Sequence, residues 1–277
     1  AYPPGSVVVP IVEAFERSEL DLAYIGLPPA MVGMDRGVDI KCIAGGHMEG
    51  TVIVGSAGCA SYPDASTLEE VIGQFRGRVV GVPGKGSIHD VILSNSLSRF
   101  GLAGDVEVIN FRWADEIVDA MKDGTVHGAF GTPALAVAVE RYAGGKLIYP
   151  AGLLWPHNPS YGILARTGFI SEETDIAMRF LALHEEATEV FRNTPEQAAD
   201  TIASMVGLVD SSYVLDTLGI SPKYCAQLTQ EYIDSTLEFA RAMKTLGYLE
   251  GDLTADRIFD RSLIEKVHPQ GQHYSVM

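Results

Sequence analysis

Between residues 20 and 150, short apolar runs closed by glycine or proline alternate with segments whose apolar side chains recur every third or fourth position. This alternation constrains the chain more than any other feature. A strand pattern followed by a helical one, repeated, specifies crossover units and hence an α/β fold with parallel sheets. Strands are predicted at residues 20–26, 39–44, 51–55, 78–83, 106–110, 126–130, 146–150 and 161–166. Helices are predicted at residues 11–17, 28–34, 88–100, 114–122 and 133–142, and from Ser66 or Thr67 to Phe75. Local chemistry sets several boundaries. Ser66 or Thr67 supplies an N-cap, Glu69 and Glu70 fall in the first turn, and Leu68, Val71, Ile72 and Phe75 share a face. Gly101 stands where a helix-ending glycine stands. Pro28, Pro29 and Pro133 occupy first turns, where proline is tolerated. Beyond residue 166 the pattern is helical, with helices predicted at residues 174–193, 195–206, 211–218, 222–246 and 254–264.

The two strand-rich blocks are joined by single strands near residues 51–55 and 161–166. This predicts two lobes, residues 1–55 with 157–277 and residues 56–156, with a hinge where the chain crosses. The 36 Asp and Glu against 20 Lys and Arg give a formal charge of −16 over 277 residues, a field that repels nucleic acid and anionic membrane surfaces. No apolar run approaches the roughly 18–20 residues of a spanning helix; the longest ends at Glu140. Neither a basic region nor an apolar run follows Ala1, so no signal peptide is read there. Cys42, Cys59 and Cys225 contain no Cys-x-x-Cys, which excludes a zinc ribbon or thioredoxin motif. Cys42 and Cys59 pair only if adjacent strands bring their Cα atoms to about 5.5–6 Å; otherwise they serve as small apolar side chains.

The chemistry concentrates where strands hand over to helices. Gly84-Lys85-Gly86-Ser87-Ile88-His89 follows a strand and opens a helix, so backbone amides at Gly86 and the Ser87 hydroxyl can face an anion. The competing reading is a turn with Ser87 as a plain cap. His89, in the first turn, either reaches a ligand or sits solvated beside Asp90, and Lys85 is either a charge partner or a surface lysine. Gly26-Leu27-Pro28-Pro29 and Gly131-Thr132-Pro133-Ala134 share one form: a strand end, a glycine and a proline-started helix. Both are expected to face a ligand cleft, since ligands bind beyond the carboxyl ends of strands in doubly wound sheets. In Gly45-Gly46-His47-Met48-Glu49-Gly50-Thr51, His47 and Thr51 are further candidates. His47 and Glu49 would share a strand face, but no further ligands support a metal there, and no metal or cofactor is predicted. Trp113, Trp155 and Tyr24 are candidate aromatic walls, Trp155 foremost because prolines flank it. Ser56 and Ser61 lack a nucleophile elbow, no catalytic triad is visible, and neither Gly-x-Gly-x-x-Gly nor a Walker A loop occurs.

Several stretches, in order and spacing, resemble the solute-binding proteins of ABC importers in the nitrate/sulfonate/taurine/thiamine-pyrimidine group. They are residues 18–26 (Ser-Glu-Leu-Asp-Leu-Ala-Tyr-Ile-Gly), 75–83 (Phe-Arg-Gly-Arg-Val-Val-Gly-Val-Pro), 84–89, 123–131 (Asp-Gly-Thr-Val-His-Gly-Ala-Phe-Gly) and 193–199. The resemblance implies a type II periplasmic-binding-protein fold, two doubly wound lobes joined by two crossing strands. It implies capture of a small anionic or heterocyclic solute in an interlobe cleft, with Gly26, Leu27, His47, Thr51, Gly86, Ser87, His89, Thr132 and Trp155 as ligand-binding residues. It further implies an extracytoplasmic location, the membrane subunits of an ABC importer as partners, and a membrane attachment only through an anchor outside these residues. The family also places a strand and helix ahead of residues 2–11, with the strand in the middle of the first sheet. The alternatives are an enzyme on the same fold, of the pyrimidine-precursor or menaquinone-pathway type, and a sensory or chaperone-like domain. The cysteine-rich run of fungal pyrimidine synthases is absent.

Overall fold

The computed structural model describes residues 10–273. The chain begins α1 (Pro10–Glu16), β1 (Leu22–Ile25), α2 (Leu27–Asp35) and β2 (Ile40–Met48). It continues β3 (Val52–Gly55), α3 (Leu68–Gly73), β4 (Val79–Pro83), α4 (Ile88–Arg99), β5 (Glu107–Phe111), α5 (Ala114–Lys122), β6 (Gly128–Gly131), α6 (Pro133–Ala143), β7 (Lys146–Tyr149) and α7 (Ala151–Leu154). After β8 (Pro159–Arg166) the described elements are helices: α8 (Thr167–Glu172), α9 (Thr174–Asn193), α10 (Pro195–Val206), α11 (Ser211–Ile220), α12 (Gln230–Thr245), α13 (Ala255–Ile258) and α14 (Ile264–Val267). Two compact units divide it. Of the described residues, one takes in 10–48, 157–201 and 222–273; the other is Glu49–Pro156 with Ile202–Ser221.

The second unit is built on a five-stranded sheet in the order β5-β4-β6-β3-β7. β4 runs parallel to β5 and β6, as the crossover pattern requires, whereas β3 is antiparallel to β6 and β7. All four residues of β3 are buried, the pattern of a strand covered on both faces. β5 lies at the edge and leaves Glu107 and Asn110 exposed. On α5, Ile117 and Met121 fall one turn apart and pack into a core with Val52, Val54, Val126, Ala129, Leu135 and Val139. Thr67 caps α3 in a capping box with Glu70, as the sequence suggested. The tie to α11 is not legible in sequence: the Tyr213 hydroxyl donates to Ala134 O at 2.6 Å, and Arg141 pairs with Asp210 and Asp216.

The division differs from the expected one at two places. Residues 51–55 are not a link hanging from the first lobe but a strand paired on both sides within the five-stranded sheet. Residues 202–221, expected in the first lobe, belong to the second unit because α11 is fastened to α6.

In the first unit a three-stranded sheet has the order β1-β8-β2, and β8 is antiparallel to both neighbours. Among the described strands, the expected parallel pairing is therefore confined to β4 and its two partners. β8 enters after a long excursion rather than through a crossover helix on its own sheet, so nothing forces it parallel. Leu27, Met31, Ile40, Ile43, Ile163, Leu164, Tyr232 and Phe239 are buried in this unit. On α9, Ala177, Leu181, His184 and Thr188 form the buried stripe at helical spacing.

Residues 222–229 were expected to be helical, yet α12 starts only at Gln230, with the Thr229 hydroxyl accepting from Tyr232 N. The backbone before it is committed elsewhere. Gly45 N donates to Ala226 O, Cys225 N to Gly46 O, and Met48 N to Lys223 O, so this segment lies along the end of β2. The predicted 254–264 helix is likewise reduced to α13 and α14.

This docking explains Gly45 in β2, while at Gly46 a Cβ would run into the Tyr161 ring of β8. A Cβ at Gly45 would lie 2.8 Å from Gln227 O and 3.0 Å from Cys225 O, both backbone atoms that cannot turn aside. Gly45→Ala is expected to cost about 2–3 kcal/mol through overpacking. Gly73→Ala, where nothing lies within 4 Å, is the control and should leave stability unchanged or slightly higher. Urea unfolding of the two variants beside the natural chain checks both.

Candidate functional site

The predicted ligand residues divide between the units: Gly26, Leu27 and His47 in the first, Thr51, Gly86, Ser87, His89, Thr132 and Trp155 in the second. In the second unit, β-sheet register gathers most of them at one edge. The parallel pairs Val80↔Gly128 and Gly81↔Ala129 point the carboxyl ends of β4 and β6 the same way. The antiparallel pair Val52↔Gly131 brings the start of β3, with Thr51 just ahead of it, to that edge too. Two helices begin there. Gly84 and Gly86, with φ +66° and +77°, turn the chain from β4 into α4, a conformation that L side chains rarely adopt. Thr132 carries β6 into α6.

Both hydroxyls cap their own helices. Ser87 Oγ accepts from Asp90 N at 3.2 Å, and Thr132 Oγ1 accepts from Leu135 N at 3.3 Å. A cap uses a lone pair and leaves the O–H to donate. The edge therefore carries two helix N-termini with their dipoles, each with a hydroxyl at its mouth.

Asp90, which sequence reasoning treated only as a neighbour of His89, changes the chemistry of this edge. Its buried carboxylate accepts from Gly86 N at 2.7 Å and from Asn110 Nδ2 at 3.1 Å. The Gly86 amide, predicted to hold an anion, is thus engaged by the protein's own carboxylate. The Ser87-x-x-Asp90 spacing, a variation on the capping box, was the available signal. A ligand at α4 is left with the Ser87 hydroxyl and the first-turn amides of Ile88 and His89, positions that lack intrahelical acceptors.

His89 is buried rather than solvated, and its Nδ1 lies 3.0 Å from Thr51 Oγ1. Burial pushes its imidazole down to about 4, which keeps it neutral at neutral pH. Thr51 is fully buried, so this hydroxyl–imidazole pair braces the wall behind the edge and offers no exposed nucleophile. Lys85 is exposed and Trp155 half-buried. Trp113 is 58% exposed beneath the Arg112 guanidinium, 5.4 Å from its ring.

In the first unit Gly26 precedes α2, and the Leu27 side chain is fully buried, a core contact rather than a ligand wall. His47 lies within β2, stacked on Tyr224 at 4.3 Å between ring centroids. Glu49 follows β2 with φ +58°, so the strand alternation that would pair it with His47 does not reach it. Tyr24 stands edge-on to Tyr161 at 5.9 Å, and its hydroxyl lies 3.1 Å from His184 Nδ1. The partners from β8 and α9 were not legible because no local spacing links them to Tyr24. Cys42 and Cys59 form no disulfide, and burial pushes the Cys42 thiol up to about 12.

A sequence profile of the NMT1-like family matches residues 9–207, most of the chain. The chain belongs to the NMT1-like family. Solved structures with the same fold include the alkanesulfonate-binding protein SsuA from Xanthomonas axonopodis pv. citri bound to MOPS, at TM-score 0.74 and 16% identity over 91% of this chain and 84% of that one. The periplasmic aliphatic sulphonate binding protein SsuA from Escherichia coli matches at TM-score 0.76 and 17% identity, over 100% and 84%. The periplasmic nitrate-binding protein NrtA from Synechocystis PCC 6803 matches at 0.69 and 15%, over 90% and 74%. The fold of this NMT1-like protein is thus that of the type II periplasmic binding proteins, the α/β class that the sequence suggested. No curated protein matches the chain. Among the described residues, no helix is long and apolar enough to cross a membrane.

The His89 environment makes stability depend on pH. Its pKa is about 4 folded against an ordinary 6.5, so between these values the unfolded chain binds more protons. Its contribution is complete above about pH 6.5, declines on acidification, and is gone near pH 4, with a total on the order of 3 kcal/mol. Unfolding free energies at pH 7.5 and 5 should differ less in His89→Gln than in the natural chain. An equal difference in both would contradict the assignment.

Proposed function

We propose that this protein is an extracytoplasmic solute-binding protein that captures a small anionic or heterocyclic solute and delivers it to the membrane subunits of an ABC importer. The observation that carries the reading is the shared edge of β4 and β6, where α4 and α6 both start and Ser87 and Thr132 each present a hydroxyl. Donors without intrahelical acceptors, backed by aligned peptide dipoles, suit a sulfonate, nitrate, carboxylate or phosphate group. The related folds whose names record sulfonates and nitrate support the same class of ligand. Aromatic rings at Tyr24, Tyr161 and His47 in the first unit suit a flat ring or an alkyl chain.

Asp90 adds a selectivity rule. Its carboxylate lies under the first turn of α4, so a compact anion that needs only the Ser87 and Thr132 hydroxyls and first-turn amides is better tolerated than one that must reach the Gly86 amide. The buried, neutral Thr51–His89 pair gives the enzyme alternative no accessible nucleophile to work with.

Native mass spectrometry of the purified protein, followed by calorimetry with alkanesulfonates, nitrate, carboxylates and pyrimidines, identifies the solute. Ser87→Asp then separates capping from ligand contact, because Asp is also a good N-cap but removes the donor and adds a negative charge. For an anionic ligand the affinity should fall about tenfold or more, while the melting temperature without ligand stays within about 2 °C. Unchanged affinity in Ser87→Asp, or no binding by any of these solutes, would count against the reading.

A further inference from the structure

Four side chains with metal-ligating atoms meet in the first unit, on three separate stretches of chain: Glu185 on α9, Cys225 on the extended segment before α12, and His268 and His273 after α14. We infer that Glu185, Cys225, His268 and His273 form a binding site for a zinc-class divalent ion, one that fastens the chain after α14 to α9 and to the segment docked on β2.

The geometry carries the inference. An ion bonded at about 2.0–2.3 Å in a tetrahedron requires its ligand atoms to stand about 3.3–3.8 Å apart. Here Cys225 Sγ lies 3.6 Å from His268 Nε2 and 3.9 Å from His273 Nδ1. The two imidazole nitrogens are 3.2 Å apart. Glu185 Oε1 lies 3.1 Å from His273 Nδ1 and 3.8 Å from His268 Nε2. All four ligand atoms lie within 4.8 Å of one another. Five edges of a tetrahedron are thus already close to the required length.

The surroundings orient these atoms as metal sites orient theirs. His268 Nδ1 is 3.1 Å from Gln270 O; only an N–H can make that bond, so the neutral ring keeps its lone pair on Nε2, the nitrogen that faces the other three groups. Glu185 Oε2 accepts from Ala226 N and from Thr188 Oγ1, both at 3.1 Å, and Oε1 also accepts from Arg192 Nη2. Arg192 is itself held by donation to Tyr224 O at 3.1 Å. The Cys225 backbone is tied to β2 through Gly46 O. Cys, His and carboxylate are the ligands zinc takes, and the four-residue gap between His268 and His273 lies within the His-x3–5-His range of zinc sites. The Cys225 thiolate and the Glu185 carboxylate offset a dication, and the Arg192 guanidinium paired with Glu185 leaves the filled cluster with one net positive charge rather than two or more. Cys225 and His268 are buried, while the His273 side chain is 36% exposed and gives the ion a way in.

The competing account is a hydrogen-bonded network among the same groups, and cobalt separates the two. The purified, tag-free, reduced protein is stripped with chelator and titrated with Co2+. The expected result is one equivalent per chain, with the strong visible bands of tetrahedral Co2+ and a near-ultraviolet thiolate-to-cobalt band. Zn2+ should displace the cobalt and raise the melting temperature by several degrees. Cys225→Ser should lose the thiolate band. His273→Ala, at a partly exposed position where folding is not at risk, should bind Co2+ at least tenfold more weakly with an unchanged metal-free melting temperature. No tetrahedral spectrum, a thiolate band that survives Cys225→Ser, or full affinity in His273→Ala would leave a hydrogen-bonded network only and overturn the inference.

Discussion

Parallel pairing of β4 with β6 is the constraint on which the candidate solute site depends. Parallel strands need crossover helices, and each such helix starts beyond the carboxyl end of its strand. Once Val80 pairs with Gly128, the starts of α4 and α6 must fall on the same sheet edge. The antiparallel β3 adds Thr51 to that edge through the Val52–Gly131 pair. The residues between strand and helix, Gly84 to Ser87 and Thr132, inherit their position from the sheet, and their own chemistry only decides what the edge can hold.

Asp90, His89 and Glu185, drawn from both units, are each matched by another polar group before being taken out of water. Asp90 is held by Gly86 N and Asn110, His89 meets Thr51, and Glu185 meets Arg192 and Ala226 N. An unmatched member of any of these groups would cost a large fraction of a typical domain's stability. The matching also has functional consequences. Asp90 takes up the amide that an anion would otherwise use, and Glu185 is oriented toward Cys225 and the two histidines rather than left to rotate.

The elements that were legible carried their own local signals. Residues 174–193 and 195–206 were readable as α9 and α10 because periodicity and proline mark their limits. Thr67 with Glu70 marked the start of α3, and the glycine–proline junctions marked α2 and α6. The errors share one cause. Residues 222–229 have a helical look, but their backbone pairs with β2; residues 51–55 look like a link, but they are paired on both sides. In each case a partner distant in sequence supplies the hydrogen bonds, and no local pattern records a distant partner.

The sequence by itself determined the α/β class, most helix limits, and the positions of Ser87 and Thr132 at strand-to-helix junctions, because short-range sterics and capping chemistry set those features. Tertiary structure alone decided the antiparallel β1-β8-β2 sheet, the burial of Thr51 and His89, and the placing of α11 against α6. It also decided the meeting of Glu185, Cys225, His268 and His273. These depend on strand register and on side chains brought together from distant stretches, and the free energy that selects them, burial with most polar groups satisfied, exists only once the core has formed.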